Sequence, residues 1–196
     1  MEILPKVICG LGNEGERYHN TRHNIGFLAV DQLVSASNSS FKNHTKLQSE
    51  AADIEINNQI LKVIKPNGFI NQSGLKIKKI CDYYKFNAAE VMVLHDDLDM
   101  SPGKCKITFG GGSGGHNGLK DIISHMTEQF WRIKIGIGRP GFGDKDQISN
   151  YVLNRPTSDE NQILIDSINI ILRSITLIYQ KGMEPAKTFL HTETSA

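Results

Sequence analysis

The sequence predicts one α/β domain: a twisted, mixed β-sheet with helices on both faces. Three observations lead to this fold class. The chain has 196 residues, an ordinary size for one domain with a substantial core. Strand patterns alternate with helix patterns along it. A hairpin interrupts the alternation, so the sheet is expected to be mixed and not purely parallel. We therefore treat residues 1–196 as a single domain.

The first half of the chain contains three strand patterns and two helix patterns. Residues 6–9 form a short apolar run typical of a buried strand. Apolar residues recur at helical spacing over 25–33 and again over 77–84. Between these helices, residues 51–56 and 60–64 alternate like the two strands of a hairpin, with the Asn-Asn-Gln between them as its turn.

The second half continues the alternation. Residues 91–94 form an apolar strand that runs straight into His-Asp-Asp-Leu-Asp. A strand at 104–109 precedes a helix pattern at 119–126, and residues 131–137 alternate like a further strand. Over 159–181, apolar residues step by four and three, which predicts a long amphipathic helix.

Residues 139–156 interrupt this pattern. Their first part, 139–150, is rich in Gly, Asp and Lys and is predicted to be a loop. A loop of this length is more often functional than a plain connection. We therefore treat 139–156 as a candidate lid.

The stretch from Gly110 to Lys120 reads GGGSGGHNGLK, and six of its first nine residues are glycine. Such a cluster predicts backbone that adopts positive φ or lies close against another group. Because it joins a strand to a helix over a few residues, we interpret it as a functional loop and not as a linker.

Composition and charge exclude some classes of protein. The formal net charge is +1, so overall charge does not indicate a nucleic-acid partner. Two local basic clusters, at 76–79 and 132–139, are interpreted as solvated faces. Apolar runs stop short of a membrane span, since Arg173 and Ser174 break the longest one. No membrane partner is therefore expected.

Cysteine usage and the N-terminus indicate a cytoplasmic protein. Cys9, Cys81 and Cys105 are odd in number and far apart, which argues for a reducing compartment and against a disulfide or thiolate–metal framework. The N-terminal Met-Glu-Ile-Leu-Pro-Lys lacks the apolar region of a signal peptide.

The dinucleotide fingerprint GxGxxG occurs three times, beginning at Gly10, Gly110 and Gly136. The first match follows a strand, as the fingerprint requires. A helix should then begin at once so that its N-terminus meets the pyrophosphate, but the polar stretch 16–22 follows instead. A nicotinamide or flavin cofactor is therefore not expected.

Ser113 lies in a GxSxG match between a strand and a helix, so a serine esterase is an alternative. Its acid would be Asp144 or Asp146 and its histidine His191. However, His191 is close to a frayed terminus, and the extra glycines would soften the tight turn that such a nucleophile needs.

Two groups of residues have the composition of a metal site. His19 and His23 are four apart, and His95 is followed by three aspartates within four residues. The histidine pair lacks the glutamate of the metalloprotease motif, and acidic residues at a strand end are more often loop-forming groups. We therefore expect no required metal.

A metal-free hydrolytic site remains, built from His23, Asp96, Asn13, Asn71 and Asn117. A histidine can take a proton from water near neutral pH, and a carboxylate on its other nitrogen fixes the tautomer. Asparagine amides can hold a peptide group or donate to a developing oxyanion without adding charge. The pattern alone does not single out these five residues from the alternatives above.

Several ordered motifs resemble the bacterial peptidyl-tRNA hydrolases, over about residues 6–191. The matching pieces are Gly10-Leu-Gly-Asn13, Tyr18, Thr21-Arg-His-Asn24, Phe69-Ile-Asn-Gln-Ser-Gly74, His95-Asp-Asp-Leu-Asp99 and Gly110-Gly-Gly-Ser-Gly-Gly-His-Asn-Gly-Leu-Lys-Asp121. The resemblance implies hydrolysis of the ester between a peptide and the 3′ end of tRNA, by a monomer without metal or cofactor. It also implies that His23 is the catalytic base and that Asp96 orients it.

The resemblance assigns further residues to the substrate. Asn13 and Asn71 would hold its peptide part and help with the oxyanion, and Asn117 would position substrate or water. Tyr18 and His116 would line the cleft. The partner is therefore expected to be peptidyl-tRNA, held through its acceptor stem, its 3′ end and its nascent peptide.

The chain departs from the family at three of these positions. Ile70 stands where methionine is usual. It keeps a bulky apolar wall but lacks the flexible thioether, so the preference for side chains of the substrate peptide is expected to shift. In the family, two basic residues hold the tRNA 5′ phosphate. One of these positions is occupied here by Thr108, and the other by Lys134, where arginine is usual. Lys106 is two residues from Thr108 on the same strand face and can supply the missing charge.

A third alternative is a protein of the same fold that binds RNA without hydrolysing it. A plant splicing-factor branch resembles the family in this way. Since the proposed base, its acid and the three asparagines are all present here, the sequence favours the enzyme.

Overall fold

The structure, a computed structural model, describes residues 3–141 and 145–195. Its strands are β1 (Val7–Gly10), β2 (Lys42–His44), β3 (Ser49–Ile56), β4 (Gln59–Pro66), β5 (Val91–Asp97), β6 (Cys105–Phe109) and β7 (Trp131–Gly136). Its α-helices are α1 (Ile25–Ala36), α2 (Ser73–Tyr84), α3 (Asn117–His125), α4 (Lys145–Leu153), α5 (Ser158–Lys181) and α6 (Met183–Glu193).

The sheet is mixed, as predicted, and its strand order is β2-β3-β4-β1-β5-β7-β6. The four central strands β4, β1, β5 and β7 are parallel. The pairs β2–β3, β3–β4 and β6–β7 are antiparallel. Because parallel strands end at the same edge of a sheet, the segments that follow β1 and β5 meet there.

Helices pack on both faces of the sheet, which confirms the predicted fold class. Met92 and Leu94 of β5 join the core formed with α1, α5 and α6, and the alternate residues of β5 join the core beneath α2 and α3. Because side chains alternate along a strand, Asp96 projects toward the α1 face and His95 toward the opposite face.

Helix α5 matches the predicted helix at 159–181 within one residue. By length and composition it is apolar enough to cross a membrane. However, 44% of its most apolar stretch is buried inside the protein. Its apolar face packs on the sheet, as the core helix of a globular protein does.

Strand β5 extends further than the apolar run predicted. The run ends at Leu94, but the strand continues to Asp97 because its last residues pair with β7, Asp96 opposite Ile135. His95 and Asp96 therefore lie on the strand itself, where the ladder holds their backbone.

The candidate lid, 139–156, contains a helix that the sequence did not predict. Residues 142–144 lie outside the described residues. From Lys145 onward the chain is helical, so the loop prediction is wrong for 145–150. Tertiary contacts explain the difference: Val152 is buried, and the Tyr151 hydroxyl donates to the carbonyl of Ile137 at 2.6 Å.

The C-terminal residues form helix α6, so the interpretation of His191 as part of a frayed terminus is wrong. Its Nε2 atom accepts a hydrogen bond from the backbone N–H of Ile107 at 3.0 Å. The Thr194 hydroxyl accepts another from Cys105 at 3.0 Å. Helix α6 thus covers the open edge of β6, which would otherwise expose unpaired backbone groups.

The predicted hairpin is present, with a turn one residue shorter than expected. Ile56 pairs with Gln59, so Asn57 and Asn58 alone form the turn. Both have positive φ, 51° and 60°, which is the geometry that two-residue hairpins prefer and that asparagine tolerates. The short strand β2, which pairs with β3, was not predicted.

Glycines allow α1 to start directly against the sheet. A Cβ atom on Gly26 would lie 2.3 Å from the Leu94 carbonyl oxygen, and one on Gly10 would lie 2.4 Å from the Gly26 oxygen. No side chain fits at either position. This contact places the residues just before α1 over the ends of β1 and β5.

Candidate active site

The residues expected at the site converge where β1 and β5 end. His23 lies in a 3₁₀ turn, Arg22–Asn24, immediately before α1. Asp96 comes from β5, and Asn13 follows β1. His23 and Asp96 are 9% and 3% exposed, so their interaction is shielded from bulk water.

His23 and Asp96 form a hydrogen-bonded pair, with 2.9 Å between Nδ1 and Oδ1. Burial lowers the pKa of His23, but the charge of Asp96 and this hydrogen bond outweigh it, so the pKa is raised above the ordinary histidine value. Burial raises the pKa of Asp96, and the two histidines that surround it outweigh that and hold the pKa far below its usual range. Asp96 is therefore ionised and holds the His23 proton on Nδ1. That leaves Nε2 as the basic atom.

His116 is the second partner of Asp96. Its Nε2 lies 3.0 Å from the Oδ1 atom that His23 contacts. Its Nδ1 accepts hydrogen bonds from the backbone N–H groups of Gly118 and Leu119, at 3.1 and 3.3 Å, and so caps helix α3. Because an accepting Nδ1 carries no proton in the neutral ring, Nε2 must be the donor to Asp96. His116, expected to line the cleft, thus supports the acid.

The side chain of Asn13 is oriented by a backbone contact. Its Oδ1 accepts from the N–H of Ile70 at 2.8 Å, so its NH₂ group faces away from that contact and has no protein partner among the described residues. Asn24 fixes the Asn13 backbone from the other side, donating to its carbonyl and accepting from its N–H at 2.8 and 2.9 Å. The NH₂ group of Asn13 is therefore a hydrogen-bond donor whose orientation is fixed before substrate binds, on a residue that is 5% exposed.

Asn71 and Asn117 lie at the starts of two helices that cross closely. Asn71 is in the 3₁₀ turn before α2, and Asn117 is the first residue of α3. A Cβ on Gly74 would lie 2.2 Å from the Asp121 carbonyl oxygen, and the Asp121 carboxylate accepts from the Gly74 N–H at 2.7 Å. The crossing fixes both asparagines on one side of the sheet edge. Both are exposed, and neither side chain has a hydrogen-bond partner within the described part of the chain.

Tyr18 and Ile70 differ in their exposure. Tyr18 is half-buried and meets the ring of Phe69 edge-on, with 6.3 Å between centroids. Ile70 is 5% exposed, and its side chain would lie 3.0 Å from a Cβ on Gly118. Tyr18 with Phe69 thus forms an aromatic rim, whereas Ile70 packs in the core beneath α3.

The residues matched to tRNA phosphate contacts lie in a row across the sheet. Lys134 of β7 pairs with His95 of β5 on one side and with Lys106 of β6 on the other. Lys134 also donates to Asp97 at 2.9 Å. Strands are about 4.8 Å apart, so Lys106 lies roughly 10 Å from the strand that carries Asp96. Thr108 is two pairs further along β6, opposite Arg132, and its buried hydroxyl has no hydrogen-bond partner among the described residues.

Arg132, interpreted with its neighbours as part of a solvated face, is buried, so that interpretation is wrong. It is 2% exposed, and its guanidinium stacks on Phe130 at 4.5 Å. The same group donates to the carbonyls of Gly111 and Gly112, the latter at 2.6 Å. The glycine loop is thus tied to the sheet. A signal was present in the sequence, since Arg132 lies between two apolar residues of a strand.

Four glycines of the loop are explained by backbone conformation and not by crowding. Gly110, Gly111, Gly114 and Gly115 have positive φ. A Cβ on Gly111, Gly114 or Gly115 would meet nothing within 4 Å. The loop therefore needs glycine because the chain folds back through the left-handed region.

Sequence reasoning assigned no role to His95. It is fully buried, and burial lowers its pKa to about 3. Its Nδ1 donates to the Asp96 backbone carbonyl at 2.7 Å, and its Nε2 has no partner among the described residues. His95 is therefore a neutral residue next to the acid, and its ring packs 5.2 Å from that of His116.

His23, Asp96 and His116 could hold a metal ion by composition, since their donor atoms lie within 4.8 Å of one another. In the tautomers inferred from these contacts, both ring nitrogens that face Asp96 carry protons and donate to it. A metal would have to replace those protons. The geometry is that of a hydrogen-bonded network around one carboxylate.

The serine esterase arrangement is not formed. His191 contacts the backbone of β6, and both nitrogens of His116 are already engaged. Among residues 3–141 and 145–195, no histidine hydrogen-bonds the Ser113 hydroxyl. At the dinucleotide match, a short 3₁₀ turn, Glu16–Tyr18, stands where a helix N-terminus would be needed.

Comparisons with known proteins agree with the motif resemblance. A family model described as peptidyl-tRNA hydrolase matches residues 7–196. A peptidyl-tRNA hydrolase of Nitrosomonas europaea is 38% identical over 193 residues, covering 98% of both chains. One of Ruthia magnifica is 41% identical over 189 residues, covering 96% of this chain and 98% of the other. The crystal structure of peptidyl-tRNA hydrolase from Acinetobacter baumannii superposes with a TM-score of 0.92 at 34% identity, over 97% and 96% of the chains.

Proposed function

The chain belongs to the peptidyl-tRNA hydrolase family and hydrolyses peptidyl-tRNA, and we propose that His23 is the base that activates the attacking water. The observation that carries the proposal is the 2.9 Å contact between His23 and Asp96. It puts the ring proton on Nδ1 and leaves Nε2 as an acceptor for a water proton. The raised pKa of His23 makes the neutral ring a stronger base. The ring is also protonated, and so inactive as a base, as the pH falls through that raised value.

The proposed reaction has two steps. His23 Nε2 takes a proton from water as the water oxygen bonds to the ester carbonyl carbon, and the carbonyl oxygen becomes an oxyanion. The bond from that carbon to the ribose oxygen then breaks, and the proton on Nε2 passes to the leaving oxygen. The products are a tRNA with a free ribose hydroxyl and a peptide carboxylic acid, which then releases its proton to solvent. Asp96 stabilises the imidazolium that exists between the steps.

The amides are proposed to bind the substrate around this base. Asn13 would donate a hydrogen bond to the oxyanion, because its amide oxygen is held by Ile70 and its NH₂ group remains available. Asn71 and Asn117, whose amides are exposed, would hold the peptide group and position water. Tyr18 would line the cleft at its aromatic rim, whereas His116 is proposed to support Asp96 and not to contact the substrate. Ile70 is proposed to limit the cleft from below.

We propose that the tRNA phosphate is held by Lys106 and Lys134, with Thr108 beside them. Lys134 forms a salt bridge with Asp97, which partly neutralises its charge. Lys106 is exposed and makes no ion pair among the described residues. Lys106 would therefore be the stronger phosphate ligand. A lysine attracts phosphate as a point charge and does not form the paired hydrogen bonds of an arginine. The affinity for tRNA should therefore be moderate and should fall with salt concentration.

The wider setting is also proposed. Three buried free cysteines suit a reducing cytoplasm. We propose that the enzyme works there as a monomer, which sedimentation at working concentration would test. Segment 139–156 is proposed to act as a lid.

The proposal is tested by peptide release from N-blocked aminoacyl-tRNA, with wild type and His23→Ala, each with and without a chelator. Loss of a positioned base should reduce the rate by about 10²–10⁴-fold. His125→Ala, which removes an exposed histidine of α3, is the control. A folded His23→Ala enzyme with near wild-type turnover, or a chelator that abolishes activity, would contradict the mechanism.

A further inference from the structure

Arg22, the residue before the proposed base, is buried in an unusual set of contacts. Its side chain is 8% exposed. Its Nη1 atom faces three backbone carbonyls, those of Tyr151, Asn154 and Arg155, at 3.4, 3.4 and 3.1 Å. Its Nη2 atom pairs with Glu160 at 2.7 Å, and its guanidinium stacks on the Tyr151 ring at 4.1 Å. One side chain thus reaches five groups more than 120 residues away.

These contacts join two helices. The three carbonyls belong to the C-terminal end of α4 and the connection that follows, where carbonyls lack helical partners and carry partial negative charge. Glu160 is in the first turn of α5, and the same Oε2 atom accepts from the Thr157 N–H at 2.8 Å. A planar guanidinium can reach the carbonyls through Nη1, with one N–H shared between two of them, and the carboxylate through Nη2, whereas a lysine ammonium has a single nitrogen.

The same contacts hold the turn that carries His23. The backbone N–H of Arg22 donates to the Asn154 carbonyl at 3.1 Å, so the turn is tied to the α4–α5 connection by main chain and side chain. On its other side, Asn24 is tied to Asn13 by two hydrogen bonds. His23 thus lies in the chain between two residues whose backbone or side chain is held by distant elements.

We propose that Arg22 is a positioning residue for the hydrolysis. It holds the His23 turn in register with Asp96, and it ties that turn to the C-terminal part of segment 139–156. A shift of residues 151–155 would therefore alter the His23–Asp96 contact. The inference rests on the proposed role of His23 as base.

The test compares Arg22→Gln and Arg22→Lys with wild type, using kcat, KM and the pH dependence of kcat/KM. We expect kcat to fall by at least about 10-fold, since a 1 Å misplacement can cost about 10² in rate. Arg22→Lys should recover only part of it. The acid limb of the kcat/KM profile should move to lower pH. The reason is that a looser contact with Asp96 leaves the pKa of His23 lower than in wild type. Direct loss of a nearby cation would move the limb to higher pH.

Two further variants keep the test decisive. Arg173→Gln removes an exposed guanidinium stacked on Phe189 and should change nothing. If Arg22→Gln does not fold, Glu160→Gln removes one partner, keeps the three carbonyls, and should shift kcat and the limb in the same direction by less. A folded Arg22→Gln with wild-type kcat and limb, or a limb that moves to higher pH, overturns the proposal.

Failure of the base assignment itself would be recognised separately. The pKa of the His23 ring can be measured by NMR without substrate, and it should drop in Arg22→Gln whether or not His23 is the base. If the ring pKa drops but His23→Ala is fully active, the proposed function fails and the positional coupling stands. If the ring pKa is unchanged, the coupling fails.

Discussion

His116 donates a hydrogen bond from Nε2 to Oδ1 of Asp96 at 3.0 Å. The same oxygen accepts a hydrogen bond from Nδ1 of His23 at 2.9 Å. The His116 tautomer is set by the backbone at the start of α3, which occupies its Nδ1 atom. The orientation of the proposed base thus depends, through one carboxylate oxygen, on the helix that follows the glycine loop.

His116→Ala should lower kcat with a smaller effect on KM. The hydrogen bond to an ionised carboxylate is worth about 1.5–3 kcal/mol, so a loss of roughly 10- to 100-fold is expected. Steady-state peptide release measures both constants. If His116 instead lines the cleft and contacts substrate, KM should rise while kcat is kept.

The pH dependence of kcat/KM should show an acid limb above the ordinary histidine pKa of about 6.5. The reason is that the base must be neutral, and the pKa of His23 is raised by Asp96. Activity therefore falls as pH falls through that raised value. In Asp96→Asn the charge is gone, so the limb should move to lower pH while the maximal rate drops. A limb that stays in place in Asp96→Asn would show that another group sets it.

Lys106→Gln should weaken tRNA binding and flatten its salt dependence. Each lost phosphate contact should reduce the slope of log K against log salt by roughly 0.7–0.9. Binding measured between about 50 and 200 mM salt gives that slope. Lys46→Gln, an exposed lysine beside β2 at the far edge of the sheet, is the matched control. Equal slopes for Lys106→Gln and wild type would place the phosphate elsewhere.

Arg132→Met should destabilise the protein and loosen the glycine loop. Two charge-assisted hydrogen bonds to Gly111 and Gly112 are lost, for about 1–3 kcal/mol in total because those carbonyls can be rehydrated. Urea unfolding measures this change, and KM should rise because Asn117 follows the loop. Arg173→Met removes an exposed arginine stacked on Phe189 and should leave both quantities near wild type. If the two variants unfold alike, the buried contacts add no stability.

His191 should make stability depend on pH. Burial lowers its pKa, so the folded state favours the neutral ring that accepts from Ile107. The contribution is complete above the unfolded pKa of about 6.5 and is lost as pH falls from there toward the lowered folded value. The drop in Tm between about pH 7.5 and pH 5.5 should be smaller in His191→Gln, which has no titrating ring. An unchanged drop would assign the pH dependence to other groups.

Much of the fold followed from local pattern. The period of apolar residues located α1, α2, α3 and α5 and five of the seven strands accurately, because periodicity reports which face of an element is buried. Helix α4 was missed because contacts of Tyr151 and Val152 with distant elements stabilise it. The extension of β5 was missed because pairing with β7, not composition, continues the strand.

The sequence by itself determined the fold class and the family, because both depend on residue types and their order along the chain. Through its resemblance to that family, it also suggested the side chains of the candidate site. Tertiary structure alone decided that one oxygen of Asp96 serves two histidines, that the Asn13 amide presents its NH₂ group, and that Arg22 and Arg132 are buried. Such pairings depend on strand order and register, which join residues far apart in the chain and leave no periodic trace in it.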